Sequence, residues 1–162
     1  MAQHGNKMGG TCQLDVVTLG RAGIDLYGEQ IGGRLEDMAS FAKYIGGSPT
    51  NTALGASRLG LRAGLITRVG ADHFGRFIVE ELEREGVATR GVRTDPDRLT
   101  ALAILGIRDA DTFPLIFYRE NCADMALCAD DIDPDFVQSA GALLVNGTHL
   151  SQPGVFEASI KA

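Results

Sequence analysis

Gly46-Gly47-Ser48-Pro49-Thr50-Asn51 is the stretch on which the fold turns. Two glycines let the backbone approach a ligand with no Cβ in the way, and Ser48 can cap a helix whose first position is Pro49. The helix start offers free N–H groups beside the Asn51 amide, an arrangement suited to a neutral, hydroxyl-rich ligand. An ordinary strand-to-helix turn with a glycine pair would read the same over these six residues. Upstream, residues 38–45 form a strand-like run, and downstream the helix is expected to reach about Leu59 and stop at Gly60.

Outward from this centre the elements alternate. Residues 14–19 are a short β-branched strand ending at Gly20, and residues 21–25 read as the turn leaving it, which puts Asp25 near a strand's carboxyl end. Residues 63–69 are the next strand. Asp72 then caps a helix whose apolar positions Phe74, Phe77, Ile78 and Leu82 follow the helical period before Gly86. The order so far is β, β, α, β, α. Residues 100–107 and 113–119 are two strand-like runs joined by residues 108–112, so a hairpin is expected, standing off the main sheet as a lid. A short helix over 134–139, a fully buried apolar strand over 142–145 and a helix opened by Pro153 complete the pattern. That last helix runs barely two turns to Ala162 with no Gly or Asn stop, so the sequence is expected to stop within a fold.

Composition narrows the class. The 162 residues are 44% hydrophobic and 22% charged, which disfavours general disorder, and 15 Lys and Arg against 21 Asp and Glu argue against nucleic acid as a partner. Glycine is abundant, 21 residues without a repeat period, and with no Trp the core must be built from Ala, Leu, Val and Ile, as in layered α/β proteins. No apolar stretch approaches the roughly 20 residues needed to cross a bilayer, and the start lacks an apolar signal core. A soluble, cytoplasmic protein with no membrane partner is expected. Cys12, Cys122 and Cys128 show neither CxxC spacing nor nearby His and read as reduced thiols. The Gly-rich, polar residues 1–12 read as a mobile tail or a cloning remnant.

Gly46-Gly47, Pro49, Asn51, Ala53, Gly60 and Gly70 together resemble the N-terminal signature of the PfkB, or ribokinase-like, family of carbohydrate kinases. The resemblance runs over residues 14–162 and includes residues 20–25, 69–75 and 83–87. The phrases Tyr118-Arg-Glu-Asn-Cys-Ala-Asp-Met125 and Val145-Asn-Gly-Thr-His149 most resemble members acting on the sugar acid 2-deoxy-5-keto-gluconate in inositol breakdown. What the resemblance implies is an α/β fold, a ribokinase-like doubly wound sheet with a small β-sheet lid over segments 26–45 and 99–119. The reaction it implies is phosphorylation of a sugar's terminal hydroxyl by ATP with Mg²⁺.

In the implied site Asp25 holds sugar hydroxyls, Gly46, Gly47 and Asn51 complete the sugar floor, and Arg119 reads the acid end of a sugar acid. A carboxylate accepts from two hydroxyls at once, and a guanidinium fork suits a carboxylate. The plain alternatives are a solvated turn residue for Asp25 and a charged residue on an exposed lid strand for Arg119. Lys43 points at the same region on position alone. Apolar lid residues Leu102, Ile104, Leu115 and Phe117 exceed what one small sheet buries, so a homodimer through the lid is expected.

The family's Gly-Ala-Gly-Asp phrase, its anion hole and catalytic base, does not occur in these residues, nor does GxxxxGK[ST] or GxGxxG. The base is therefore expected beyond Ala162, with no catalytic residue and no metal ligand here, and the 162 residues alone are expected to be inactive. A non-catalytic, sugar-binding or self-associating remnant is the alternative, and the missing GxGxxG weighs against a dehydrogenase. Residues 131–135 imitate a calcium loop, but Phe136 and Ala142 stand where Gly and Glu are required, so a solvated acidic turn is expected. Asn146-Gly-Thr148 fits a glycosylation sequon without meaning in the cytoplasm, and His73 and His149 serve no nucleophile motif.

Overall fold

The computed structural model describes residues 13–162, so the tail and Cys12 lie outside it. The elements in chain order are β1 (Val16–Leu19), β2 (Gly23–Gly28), β3 (Phe41–Gly46), α1 (Ser48–Arg58), β4 (Ala63–Gly70), α2 (His73–Arg84), β5 (Ala88–Asp95), β6 (Ala101–Leu105), β7 (Leu115–Tyr118), α3 (Pro134–Gln138), β8 (Leu143–Val145) and α4 (Pro153–Lys161). They form two four-stranded sheets. The first, in the order β5-β4-β1-β8, is parallel throughout; the second, β3-β2-β6-β7, pairs β2 parallel to β6 and is otherwise antiparallel.

The parallel sheet is covered on both sides, as crossover helices require. Ala63, Leu65 and Val69 of β4 pack with Ala53 and Leu54 of α1 and with Ile78 and Leu82 of α2. Val17, Leu19 and Ile66 pack on the opposite face with Leu127, Ile132, Phe136, Val155 and Ala158. The doubly wound arrangement with its lid is therefore present.

Several local expectations are corrected. Asp25 is not in a turn. The turn is confined to Gly20–Ala22, and residues 23–28 form a strand because β3 and β6 satisfy its backbone from both sides. The lid sheet thus begins at Gly23, ahead of the expected segment. β5 was not anticipated: Ala-Thr-Arg-Gly-Val-Arg-Thr-Asp carries polar side chains because it is an edge strand. Among the described residues β8 is the outermost strand of its sheet, with Leu144 37% exposed. The acidic turn is not solvated. Asp131 is buried and takes both Arg68 Nε (2.7 Å) and Arg68 Nη2 (3.0 Å), while Arg68 Nη1 reaches Asp95 (3.2 Å), which locks the turn to β4 and β5.

One carboxylate ties the two sheets together. Asp72 caps α2 by accepting from Gly75 N (2.8 Å) and also accepts from Thr100 N (2.7 Å) and Thr100 Oγ1 (3.0 Å), at the entrance to β6. These hydrogen bonds hold its pKa below the usual carboxylate value although burial opposes them.

Candidate functional site

The lid's pleat sorts its side chains. Ile24 and Leu26 are paired with Leu102 and Ile104 and face the core cluster, whereas Asp25 and Tyr27 are paired with Tyr44, Ala42, Ala103 and Leu105 on the opposite face. Lys43 is paired with Leu26 and so turns away from Asp25; its ammonium lies 3.4 Å from the Phe77 ring centroid, against α2. The expectation that Lys43 serves the site is therefore corrected.

The glycine pair is shaped by this strand. A Cβ at Gly46 would run into the Asp25 carboxylate, and one at Gly47, whose φ is +101°, would run into the Arg21 carbonyl. That carbonyl also accepts from Thr50 Oγ1 (2.7 Å), and Thr18 Oγ1 donates to Pro49 O (2.9 Å), so the start of α1 is pinned against β1 and the turn after it.

Two concavities meet at Asp25. The larger, about 660 Å³ and open, is lined by Asp25, Tyr27, Glu29, Tyr44, Asn51 and Ile107, with Tyr27 and Tyr44 edge to face at 5.4 Å. The smaller, about 40 Å³, is lined by Arg21, Asp25, Gly46, Gly47, Phe117, Arg119 and Asp124 among others. The structure thus brings Asp25, Gly46, Gly47 and Arg119 together, while Asn51 lines the adjoining larger concavity that Asp25 also borders.

Arg119 follows directly on β7 and donates from Nη2 to the buried Asp124 (2.7 Å). Burial pushes the Asp25 and Asp124 carboxyls up, opposed in both cases by Arg21 and Arg119. His149 is buried with Nδ1 3.9 Å from Asp124; burial, then Arg119 and Arg21, push it down to about 4, so it is neutral at pH 7. Asp124 Oδ1 and both His149 nitrogens are buried without a hydrogen-bond partner.

Arg21, Asp124 and His149 were missed as site residues because they are far apart in sequence and converge only once the lid is folded. The alternation Ile24-Asp25-Leu26-Tyr27 was the available signal for Tyr27.

Chemically, the surface offers a carboxylate for hydroxyls, a close backbone approach and guanidinium donors for an anion. Among the described residues no three His, Cys, Asp or Glu are grouped to hold a metal ion. No residue of this cleft is assigned to ATP or Mg²⁺.

A 5-dehydro-2-deoxygluconokinase of Listeria monocytogenes serotype 4a is 38% identical over 151 residues, covering 93% of this chain and 46% of the relative. The enzyme of that name in Geobacillus kaustophilus is 41% identical over 140 residues, covering 86% and 42%. The crystal structure of a sugar kinase from Pyrococcus horikoshii in complex with ATP superposes with a TM-score of 0.82 at 32% identity, over 90% of this chain and 47% of that one. The chain spans about half the length of the curated relatives it matches. With the pfkB family carbohydrate kinase profile matching residues 13–162, the chain belongs to that family of sugar kinases.

Proposed function

We propose that this chain forms the substrate half of an ATP-dependent, cytoplasmic kinase that phosphorylates the terminal hydroxyl of a sugar acid, 2-deoxy-5-keto-gluconate, in inositol breakdown. The observation that carries the reading is the Asp25 carboxylate set against the Gly46-Gly47 backbone with the Arg119 guanidinium in the same cleft. The names of the Listeria and Geobacillus relatives support the choice of sugar.

In this reading Asp25 accepts hydrogen bonds from two neighbouring hydroxyls, Gly46 and Gly47 let the sugar lie against the backbone, and Asn51 contacts the far end of the ligand from α1. Arg119, held in place by Asp124, binds the carboxylate. Tyr27 and Tyr44 wall the open side and limit access of water. ATP with Mg²⁺ would supply the phosphoryl group, and none of the described residues is assigned to hold it. Without the Gly-Ala-Gly-Asp phrase, the 162 residues are expected to bind sugar but not to transfer phosphate.

The test is calorimetric binding of 2-deoxy-5-keto-gluconate against fructose and ribose, together with an ATP-dependent mass gain on the sugar acid. Tighter binding of a neutral sugar would overturn the substrate assignment. Phosphorylation by a chain verified to end at Ala162 would overturn the division of labour. The alternative of a non-catalytic sugar-binding remnant rests on that same missing phrase and predicts binding without turnover in every form of the protein.

A further inference from the structure

The role proposed for Arg119 leaves a neighbouring cation without a task. Arg21 sits in the tight turn between β1 and β2, partly buried, and its side chain makes no hydrogen bond or ion pair among the described residues. A guanidinium has five N–H donors and cannot shed its charge, and since none of the Arg21 nitrogens is among the buried atoms without a partner, they face water that a ligand carboxylate can replace without breaking a protein hydrogen bond. Arg21 lines the same cleft as Arg119, and two cations side by side repel. Burial and Arg119 both push the Arg21 pKa down, with Asp124 and Asp25 opposing. Those two carboxylates balance the charge without satisfying the donors. Asp124 gives only its Oδ2 to Arg119 Nη2, and neither its unpartnered Oδ1 nor the Asp25 carboxylate lies within ion-pair distance of Arg21.

The cleft's size restricts what enters. A cavity of about 40 Å³ exceeds the ~10–15 Å³ that one water needs and is far too small for a sugar ring. It admits a group of a few heavy atoms, such as a carboxylate, while the rest of the ligand extends past Asp25 into the larger concavity.

We propose that Arg21 is a second carboxylate-reading residue: its guanidinium and that of Arg119 take the two oxygens of the sugar acid's carboxylate, and the pair sets the preference for sugar acids over neutral sugars. The assignment rests on the sugar-acid reading above. Arg21 is placed for the task by Gly20 and by the Thr50 hydroxyl on its own carbonyl, which fix the turn from which the side chain projects.

The test uses calorimetry on the protein carrying this chain, with 2-deoxy-5-keto-gluconate and its neutral 1-amide as probes. Wild type is expected to favour the acid. Arg21→Gln should weaken acid binding by about 10- to 100-fold, the loss of one charge-assisted contact, and leave the amide within about threefold. Arg21→Lys, which keeps the charge but not the fork, should fall between them and decides the matter if Arg21→Gln is too unstable to titrate. Equal losses on both probes, or no loss on either, would overturn the role of Arg21. If Arg119→Gln then still abolishes acid preference, the sugar-acid reading survives alone. A wild type without acid preference overturns both.

Discussion

At the scale of residues, the site is a set of opposed electrostatic demands. Asp25 is held partly desolvated, which costs stability, so Asp25→Ala should weaken sugar-acid binding by roughly 1.5–3 kcal/mol while leaving the melting temperature equal or higher. Unchanged affinity would remove Asp25 from the site. Gly47→Ala should do the reverse. At φ +101° an L-residue is strained and its Cβ meets the Arg21 carbonyl, so a loss of at least about 2 kcal/mol in urea titration is expected.

His149 makes stability depend on pH. Its folded pKa of about 4 lies below the 6.5 of a free imidazole, so as pH falls through 6.5 the unfolded chain takes up a proton that the folded one refuses. Stability from this group is present at neutral pH and lost progressively between about 6.5 and 4, on the order of 2 kcal/mol at pH 5. Asp25 and Asp124, pushed up, oppose this slope from pH 3.8 upward. The comparison that isolates His149 is therefore the drop in melting temperature from pH 7 to pH 5 in wild type against His149→Gln, expected to be smaller in the variant. Equal drops would count against a neutral buried imidazole.

At the scale of elements, α2 is more than a cover for the sheet. Asp72 caps it and also holds the Thr100 backbone and hydroxyl, so Asp72→Ala removes three hydrogen bonds and should destabilise the protein by about 2–4 kcal/mol, more than an ordinary cap. Thr100→Val would test the lid-side share, with an expected loss of about 1–2 kcal/mol and α2 helicity by circular dichroism unchanged. α2 is legible by its helical period, α1 by Pro49 and the stop at Gly60, although Gly47 rather than Ser48 stands at its N-cap, and β1 by its β-branched run ending at Gly20. β2 was misread because Gly20, Gly23 and Asp25 look like turn residues when the two strands that pair with β2 are out of sight. β5 was not legible, since an edge strand with one wet face has no apolar period to show. In the site, Asp25 and the Gly46-Gly47 pair stood out through the family pattern. Arg21, Asp124 and His149 lie 103 and 25 positions apart and only the folded lid collects them.

At the scale of the whole molecule, the lid presents apolar surface on both faces of its outermost strand: Phe117 is 59% exposed on the side of Asp25 and Ile116 44% on the other. Leu102, expected to share that surface, packs into the core cluster instead. A homodimer formed through the lid would cover β7, and light scattering at high micromolar concentration should then show a dimer that Ile116→Glu converts to monomer. A monomeric wild type would rule this out.

The pleat of β2 has a further consequence for how the chain can change length. Inserting or deleting one residue between Gly20 and Asp25 would exchange the two faces of the strand, turning Ile24 and Leu26 outward and driving a carboxylate into the packed interior. The connection over 29–40 tolerates length changes far better, because it is closed on itself by Gln30, whose side chain bonds Ala39 N (2.8 Å) and Ser40 Oγ (2.8 Å). Natural variation in length among related chains should therefore collect in that loop and be absent from the six residues that lead from the core into the lid.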